Sequence, residues 1–312
     1  MINVLLYKPE CKEIWNAFIQ SSKNGIFMFY RNYMEYHSNK FQDYSLLFYE
    51  NEKLIAVLPA SLKDDVIVSH GGLTFGGVVA DSRMTTKKML EVFQVLKVFL
   101  EDNGIKKIVY KALPYIYHKI PSEEDRYVIF LNNGRLIKQE PCSLVFLDNK
   151  LKFCKGKKYG ISKAKKADLK VLKSKDYDQF FKLEKARLNE RYAVDPVHTA
   201  SEMNCLANNF PENIKLYAVL NKSLEMVAGT ILYLNNKAAH AQYIASNEEG
   251  RENGAIDYLM DYLINDLYKD YKYFDFGIST EQGGHYLNEG LIAQKEMLGG
   301  RTICFSTYEI DV

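Results

Sequence analysis

The chain has little of what would classify it at once. Its five cysteines (Cys11, Cys142, Cys154, Cys205, Cys304) are scattered, odd in number and without metal-ligand spacing. That pattern excludes a disulfide framework, argues against structural zinc or any other metal, and points to reduced thiols in a cytoplasmic setting. Charge of one sign is also missing: 41 basic against 39 acidic residues leave a formal +2, so the molecule as a whole is not an electrostatic nucleic-acid binder and any anion site is local. No run approaches the roughly 20 apolar residues that span a bilayer. The opening MINVLLYKPECKEIWNAF lacks a basic leader and cleavage site, and reads as a first strand and helix.

What is present is a repeat. The second half follows the order of the first at an offset of about 170 residues, and self-similarity is the first signal to weigh in assigning a fold. In the first copy, strand-like runs from Ser45 to Ser61 lead to VIVSHGGLTFGGVV, a helix from about Thr86 to Asn103, and the strand KKIVYKA. In the second, Lys215 to Leu234 lead to AHAQYIAS, a helix from about Gly254 to Tyr268, and YKYFDFGIST. Met89, Val92, Phe93, Leu96, Phe99 and Leu100 make one apolar helix stripe; Ile256, Leu259, Met260, Leu263 and Leu267 make the other. Both are read as core faces packed on a sheet. The 312 residues suit two α/β (α+β) domains, 1–150 and 151–312, with the final strand TICFSTYEI able to return to the first. A basic stretch from Lys150 to Lys170 marks the boundary, either as a solvated linker helix or as a cationic rim for a phosphate-rich ligand.

Histidines and carboxylates supply the candidate chemistry. His70 stands before Gly71 and Gly72, where backbone can approach a ligand closely. His118 follows Tyr115 and Tyr117 at a strand's C-terminal end, a common place for ligand groups in α/β proteins. Strict alternation puts His240, Gln242, Ile244 and Ser246 on one face of AHAQYIAS and Tyr243 on the other. His240 is read first as a satisfied core histidine and second as a catalytic one. Asp275 alternates with Phe274 and Phe276, so it faces away from the core if they face into it, and Glu281 lies just beyond the same strand. Asn288, Glu289, Lys295 and Glu296 form a polar cluster near the next helix, explained in part by ion pairing within it. No cysteine is placed like an activated nucleophile, which favours direct attack by an acceptor over a covalent intermediate.

The motifs SHGGLTFGG, PYIYHKIPSEEDRY, AHAQYIASNEEGRENGA, DFGISTE and LNEGLIAQKEMLGGR, taken with the element order, resemble the GNAT acyltransferase superfamily over nearly the whole chain. The duplication resembles the tandem GNAT architecture of Fem-type aminoacyltransferases and of N-acyltransferases acting on nucleotide-linked amino sugars. The resemblance implies two GNAT-like domains, each a mixed sheet flanked by helices, and transfer of a short acyl group from acyl-CoA to the amine of a nucleotide-linked, dTDP-type amino sugar. It implies a splayed strand whose N–H groups receive the thioester carbonyl, and a loop at Ser246, Gly250, Arg251, Asn253, Gly254 and Ala255 that holds the CoA pyrophosphate. Ile256 stands where a small residue is expected, and three acidic residues lie in or beside that loop. His70, His118, Asp275 and Glu281 are then the catalytic candidates, and Gly71, Tyr115, Tyr117, Gln242 and Asn288 the acceptor contacts. The alternatives are a Fem-type ligase fed by aminoacyl-tRNA and a noncatalytic binding module.

Overall fold

The structure, a computed structural model, describes residues 1–192 and 194–312, with the backbone alone for residues 190–192. The chain divides into two compact units, Met1–Glu140 with Cys304–Val312, and Pro141–Ile303. The strand Arg135–Phe146 runs through that division. Among the described residues no helix is long and apolar enough to cross a membrane.

In the first unit, β1 (Ile2–Leu6), β2 (Leu46–Glu50) and β3 (Lys53–Leu58) form an antiparallel meander. A short strand β4 (Val66–Val68) lies parallel to a later one, Lys107–Lys111. Between them runs a helix, Thr86–Asp102, started by the Thr85 side chain, which accepts from the Lys88 N–H, and ended at Gly104 with φ +72°. Its predicted stripe is the core: Met89, Val92, Phe93, Leu96 and Leu100 are buried against Phe48, Ile55, Ile108 and Tyr110. The C-terminal strand pairs antiparallel with Lys107–Lys111, Ile310 against Ile108.

The second unit positions the chemistry, and its elements are labelled on from β4. β5 is Arg135–Phe146, α1 Lys155–Lys166, β6 Lys170–Ser174, α2 Tyr177–Tyr192 and α3 Ala200–Asn209. β7 is Ile214–Leu220, β8 Met226–Asn235, β9 Ala238–Ser246, α4 Glu248–Glu252 and α5 Ala255–Asp261. β10 is Tyr273–Ile278 and α6 Glu289–Met297. The sheet order is β6-β7-β8-β9-β10-β5, antiparallel throughout except for the parallel pair β9–β10. A parallel pair needs a crossover, and α4 and α5 supply it.

One sheet face, with Leu232, Leu234, Ala239, Ala241, Phe274 and Val145, packs on Ile161 and Ala164 of α1 and on Leu259, Met260 and Leu263. The basic stretch is therefore not a linker: α1 belongs to this layer, and only its outer lysines are solvated. The predicted helix to Tyr268 changes at Tyr262 into a π-helical turn, Tyr262–Leu267. The wider turn rotates the end of the stripe, leaving Leu267 42% exposed.

Candidate active site

The centre of the site is where β9 and β10 part. Their register runs Ala238↔Tyr273, Ala239↔Phe274, His240↔Asp275, and goes no further, although β9 continues to Ser246. Among the described residues, no strand pairs with the β9 edge beyond His240 on the side toward β10. A second irregularity sits at the same place: β8 pairs Ile231 with Tyr243 but Leu232 with Ala241, so Gln242 is an extra, bulged residue. The bulge overturns the strict alternation read from the sequence. Tyr243 joins His240 on one face, and Ile244 turns to the core. The Gln242 amide oxygen is buried at this bulge without a hydrogen-bond partner, a state that buried polar atoms seldom keep unless a ligand or water supplies one.

Asp275 organises the opening. It is fully buried and accepts hydrogen bonds from the Cys142 thiol at 2.6 Å, from the Gly277 N–H at 2.7 Å, and at its other oxygen from His240 Nδ1 at 2.7 Å. With its proton on Nδ1, a neutral His240 carries its basic lone pair on Nε2. Gly277 has φ +71°, and a Cβ there would lie 3.3 Å from His240 Cε1, so the backbone closes tightly around the ring. Burial, with Asp275 beside it, pushes the Cys142 thiol well up, which keeps it a donor and not a nucleophile.

Lys295 of α6 completes the cluster. Its Nζ donates to the carbonyls of Gly277 at 3.0 Å and Ile278 at 2.5 Å, and burial lowers its pKa to about 8 against the opposing pull of Cys142 and Asp275. Lys295 is thus tied to the end of β10 and not to an acid of its own helix. Asn288 caps α6 by accepting from the Leu291 N–H at 2.9 Å, and it donates to Glu281 at 2.7 Å. Glu281 sits on a short hairpin, opposite Tyr286.

The loop expected to cradle a pyrophosphate is a closed turn. The Gly250 N–H donates to Asn247 Oδ1 at 2.8 Å, and those of Arg251, Asn253 and Gly254 go to backbone carbonyls of the same turn. Gly254 has φ +69°, and a Cβ on it would meet the Gly160 carbonyl oxygen at 2.4 Å, so α1 sits directly on the start of α5. Lys157 of α1 pairs with Asp257 in the first turn of α5 at 2.7 Å, filling the anion position of that helix end from within. Ser246 and Ala255 flank this turn, and the Ser246 carbonyl accepts from Arg251 at 3.2 Å.

The first-half candidates separate. Tyr117 is fully buried against Phe75 and belongs to the core, whereas Tyr115 is 48% exposed. His118 shares its Nε2 with the Leu113 carbonyl at 3.2 Å, and burial lowers its pKa to about 4. His70, with φ +49°, accepts from the Gly72 N–H at 3.3 Å, and burial with His37 nearby lowers its pKa to about 3. Both are held neutral and weakly basic, which removes the reason for reading them as general bases. The Gly71 N–H is spent on Ser61 at 2.9 Å.

His70 does line a cavity of about 290 Å³ with Tyr7, Arg31, Glu35, Phe41 and Asp43. There the Arg31 guanidinium lies 3.7 Å over the Tyr7 ring and binds both carboxylates. Burial alone would raise Glu35, but hydrogen bonds from Lys12 and Arg31 hold its carboxyl below the ordinary range.

The two depressed histidines make a stability prediction. Below the ordinary value of 6.5 the unfolded chain binds protons that the folded chain refuses until about pH 4 and 3. The contribution of these two groups to stability is therefore full above about pH 6.5 and falls as the pH drops. Urea midpoints measured from neutral pH down to about pH 5 should decline, and less steeply in His118→Asn. A slope that the substitution leaves unchanged removes His118 as a contributor.

Comparison with known proteins places this geometry. Residues 155–286 match the acetyltransferase (GNAT) domain family. FemX is similar in structure, with a TM-score of 0.68 at 10% identity over 99% of this chain and 97% of that one. L-PGS from Bacillus licheniformis aligns with a TM-score of 0.61 at 12% identity, over 97% and 90%. A tandem GNAT protein from the clavulanic acid biosynthesis pathway aligns with a TM-score of 0.53 at 9% identity, over 100% and 98%. At such identities the likeness establishes the tandem GNAT fold, and the domain match supports an acyltransferase enzyme. No curated protein matches the sequence.

Proposed function

We propose that the chain is an N-acyltransferase that moves a short acyl group from acyl-CoA to the amine of a nucleotide-linked amino sugar by direct attack. The observation that carries the transfer reaction is the parting of β9 and β10 at His240↔Asp275, inside the segment matching the GNAT domain. The β9 edge that β10 leaves beyond His240 suits a carbonyl oxygen that gains charge in the transition state, received by backbone N–H groups. The Asp275–His240 pair orients Nε2 to handle a proton at the same place. The dTDP-type sugar rests on the sequence resemblance.

One observation favours a second reading. The N–H groups of Gly250, Arg251, Asn253 and Gly254 are spent within their own turn, while α1 turns exposed lysines at positions 155, 158, 163 and 166 to solvent. That arrangement suits a donor held by its phosphates on side chains, such as the aminoacyl-tRNA of a Fem-type ligase, as well as it suits CoA.

Thermal unfolding with CoA, acetyl-CoA, dTDP, UDP or bulk tRNA separates the two. A ligand at 100 times its dissociation constant adds about 2.7 kcal/mol, a visible rise in Tm. Stabilisation by CoA and a nucleoside diphosphate is the expected result. A response to tRNA with none to CoA moves the assignment to the ligase.

A further inference from the structure

The first unit leaves one strand edge open. β1 (Ile2–Leu6) ends a four-stranded sheet, paired with β2 on one side and, among the described residues, with no strand on the other. Its register shows which backbone groups are free. One step past the pair Leu6↔Leu46, the Tyr7 N–H donates to the Ser45 carbonyl at 2.8 Å. Antiparallel bonding alternates, so Leu5 and Asn3 also turn their N–H and C=O groups to β2, while Ile2, Val4 and Leu6 turn theirs outward. Among the described residues no backbone or side-chain group bonds these outward groups.

Exposed strand edges invite pairing, and proteins guard them by shortness, charge, proline or a bulge. The other strands that end a sheet here are guarded. Gln42–Asp43, Val79–Ala80, Thr280–Glu281 and Tyr286–Leu287 are two residues long, and β6 carries Lys170 and Lys173. β1 has none of these devices: its five residues, INVLL, hold no charge and no proline, and its register has no bulge. Leu5 and Leu6, on opposite faces, are 55% and 40% exposed.

We propose that this edge receives a second copy of itself, so that two chains pair their β1 strands antiparallel about a two-fold axis at Val4. An axis perpendicular to the sheet keeps each side chain on its own face. Val4 then faces Val4, Ile2 faces Leu6, and Asn3 faces Leu5. In this register every outward group finds its mate: the N–H and C=O of Val4 bond those of the other Val4, and those of Ile2 bond those of Leu6. Charge agrees with the pairing, because no like charges meet across the axis. The exposed Leu6 gains Ile2 of the other copy as a neighbour. Five paired residues cover less than the roughly 1,200 Å² total of a stable interface, which puts the dimer in the weak, reversible class. The two four-stranded sheets become one continuous sheet.

Sedimentation velocity on the full chain, from about 1 μM to about 1 mM, reads the assembly. The wild-type coefficient is expected to rise with concentration from the monomer value toward that of a dimer. Val4→Pro removes an outward N–H and none of the bonds to β2, a change that edge strands tolerate, and should hold the chain monomeric. Two double variants test the register through exposed side chains alone. Asn3→Asp with Leu5→Asp sets like charges face to face across the axis and should abolish association, whereas Asn3→Asp with Leu5→Lys sets opposite charges there and should restore it.

Amide exchange supplies the residue-level signature. Asn3 and Leu5 should be protected at every concentration, and Val4 and Leu6 only where the dimer forms. A wild-type chain that stays monomeric across the whole range overturns the proposal. So does a dimer that forms equally in all three variants, or one that leaves the exchange of Val4 and Leu6 unchanged.

Discussion

Replacing His240 with glutamine is expected to cut acyl transfer by about 10²-fold or more while the protein stays folded, since a positioned general acid or base contributes about 10²–10⁴. Glutamine can still donate to Asp275, but its amide oxygen is too weakly basic to take a proton where Nε2 stood. Asp275→Asn should cost at least as much. The amide replaces one of two acceptor oxygens with a donor, while Cys142, Gly277 and His240 all need acceptors from it. The imidazole then loses the bond that fixes its tautomer. Rates near wild type in either variant, with unchanged circular dichroism, would show that the parting of β9 and β10 is not where the chemistry occurs.

The second large effect concerns stability. Gly254→Ala is expected to destabilise the second unit by about 3 kcal/mol: roughly 1–2 kcal/mol for a left-handed residue with a Cβ, and the rest for overpacking. The clash is with backbone, the Gly160 carbonyl oxygen at 2.4 Å, so no side chain can swing aside. That is a large share of the 5–15 kcal/mol typical of a domain. Urea unfolding measures it directly. If the variant keeps wild-type stability but loses affinity for CoA, Gly254 belongs to a ligand cradle and not to the seam between α1 and α5.

Helical periodicity made much of this legible. The apolar stripe Met89 to Leu100 and its counterpart at Leu259, Met260 and Leu263 located both crossover helices, because a 3.6-residue period has few other causes. Sequence could not show Gln242 as a bulge, since a bulge is a property of two strands in register. Strict alternation therefore places Tyr243 on the wrong face.

The glycines at 250 and 254 read as a phosphate loop because the same residue type serves close packing and ligand approach; in the structure Gly250 packs against the Val227 carbonyl of β8 and Gly254 against the Gly160 carbonyl of α1. His70 and His118 drew attention through motifs, yet burial makes them poor bases.

The most direct test of the account is thiol release from acetyl-CoA by the purified chain, with and without an amino-sugar nucleotide, compared between wild type and His240→Gln. The account predicts release that depends on the amine and falls about 10²-fold in the variant. Release indifferent to the amine, or equal in both proteins, would contradict it.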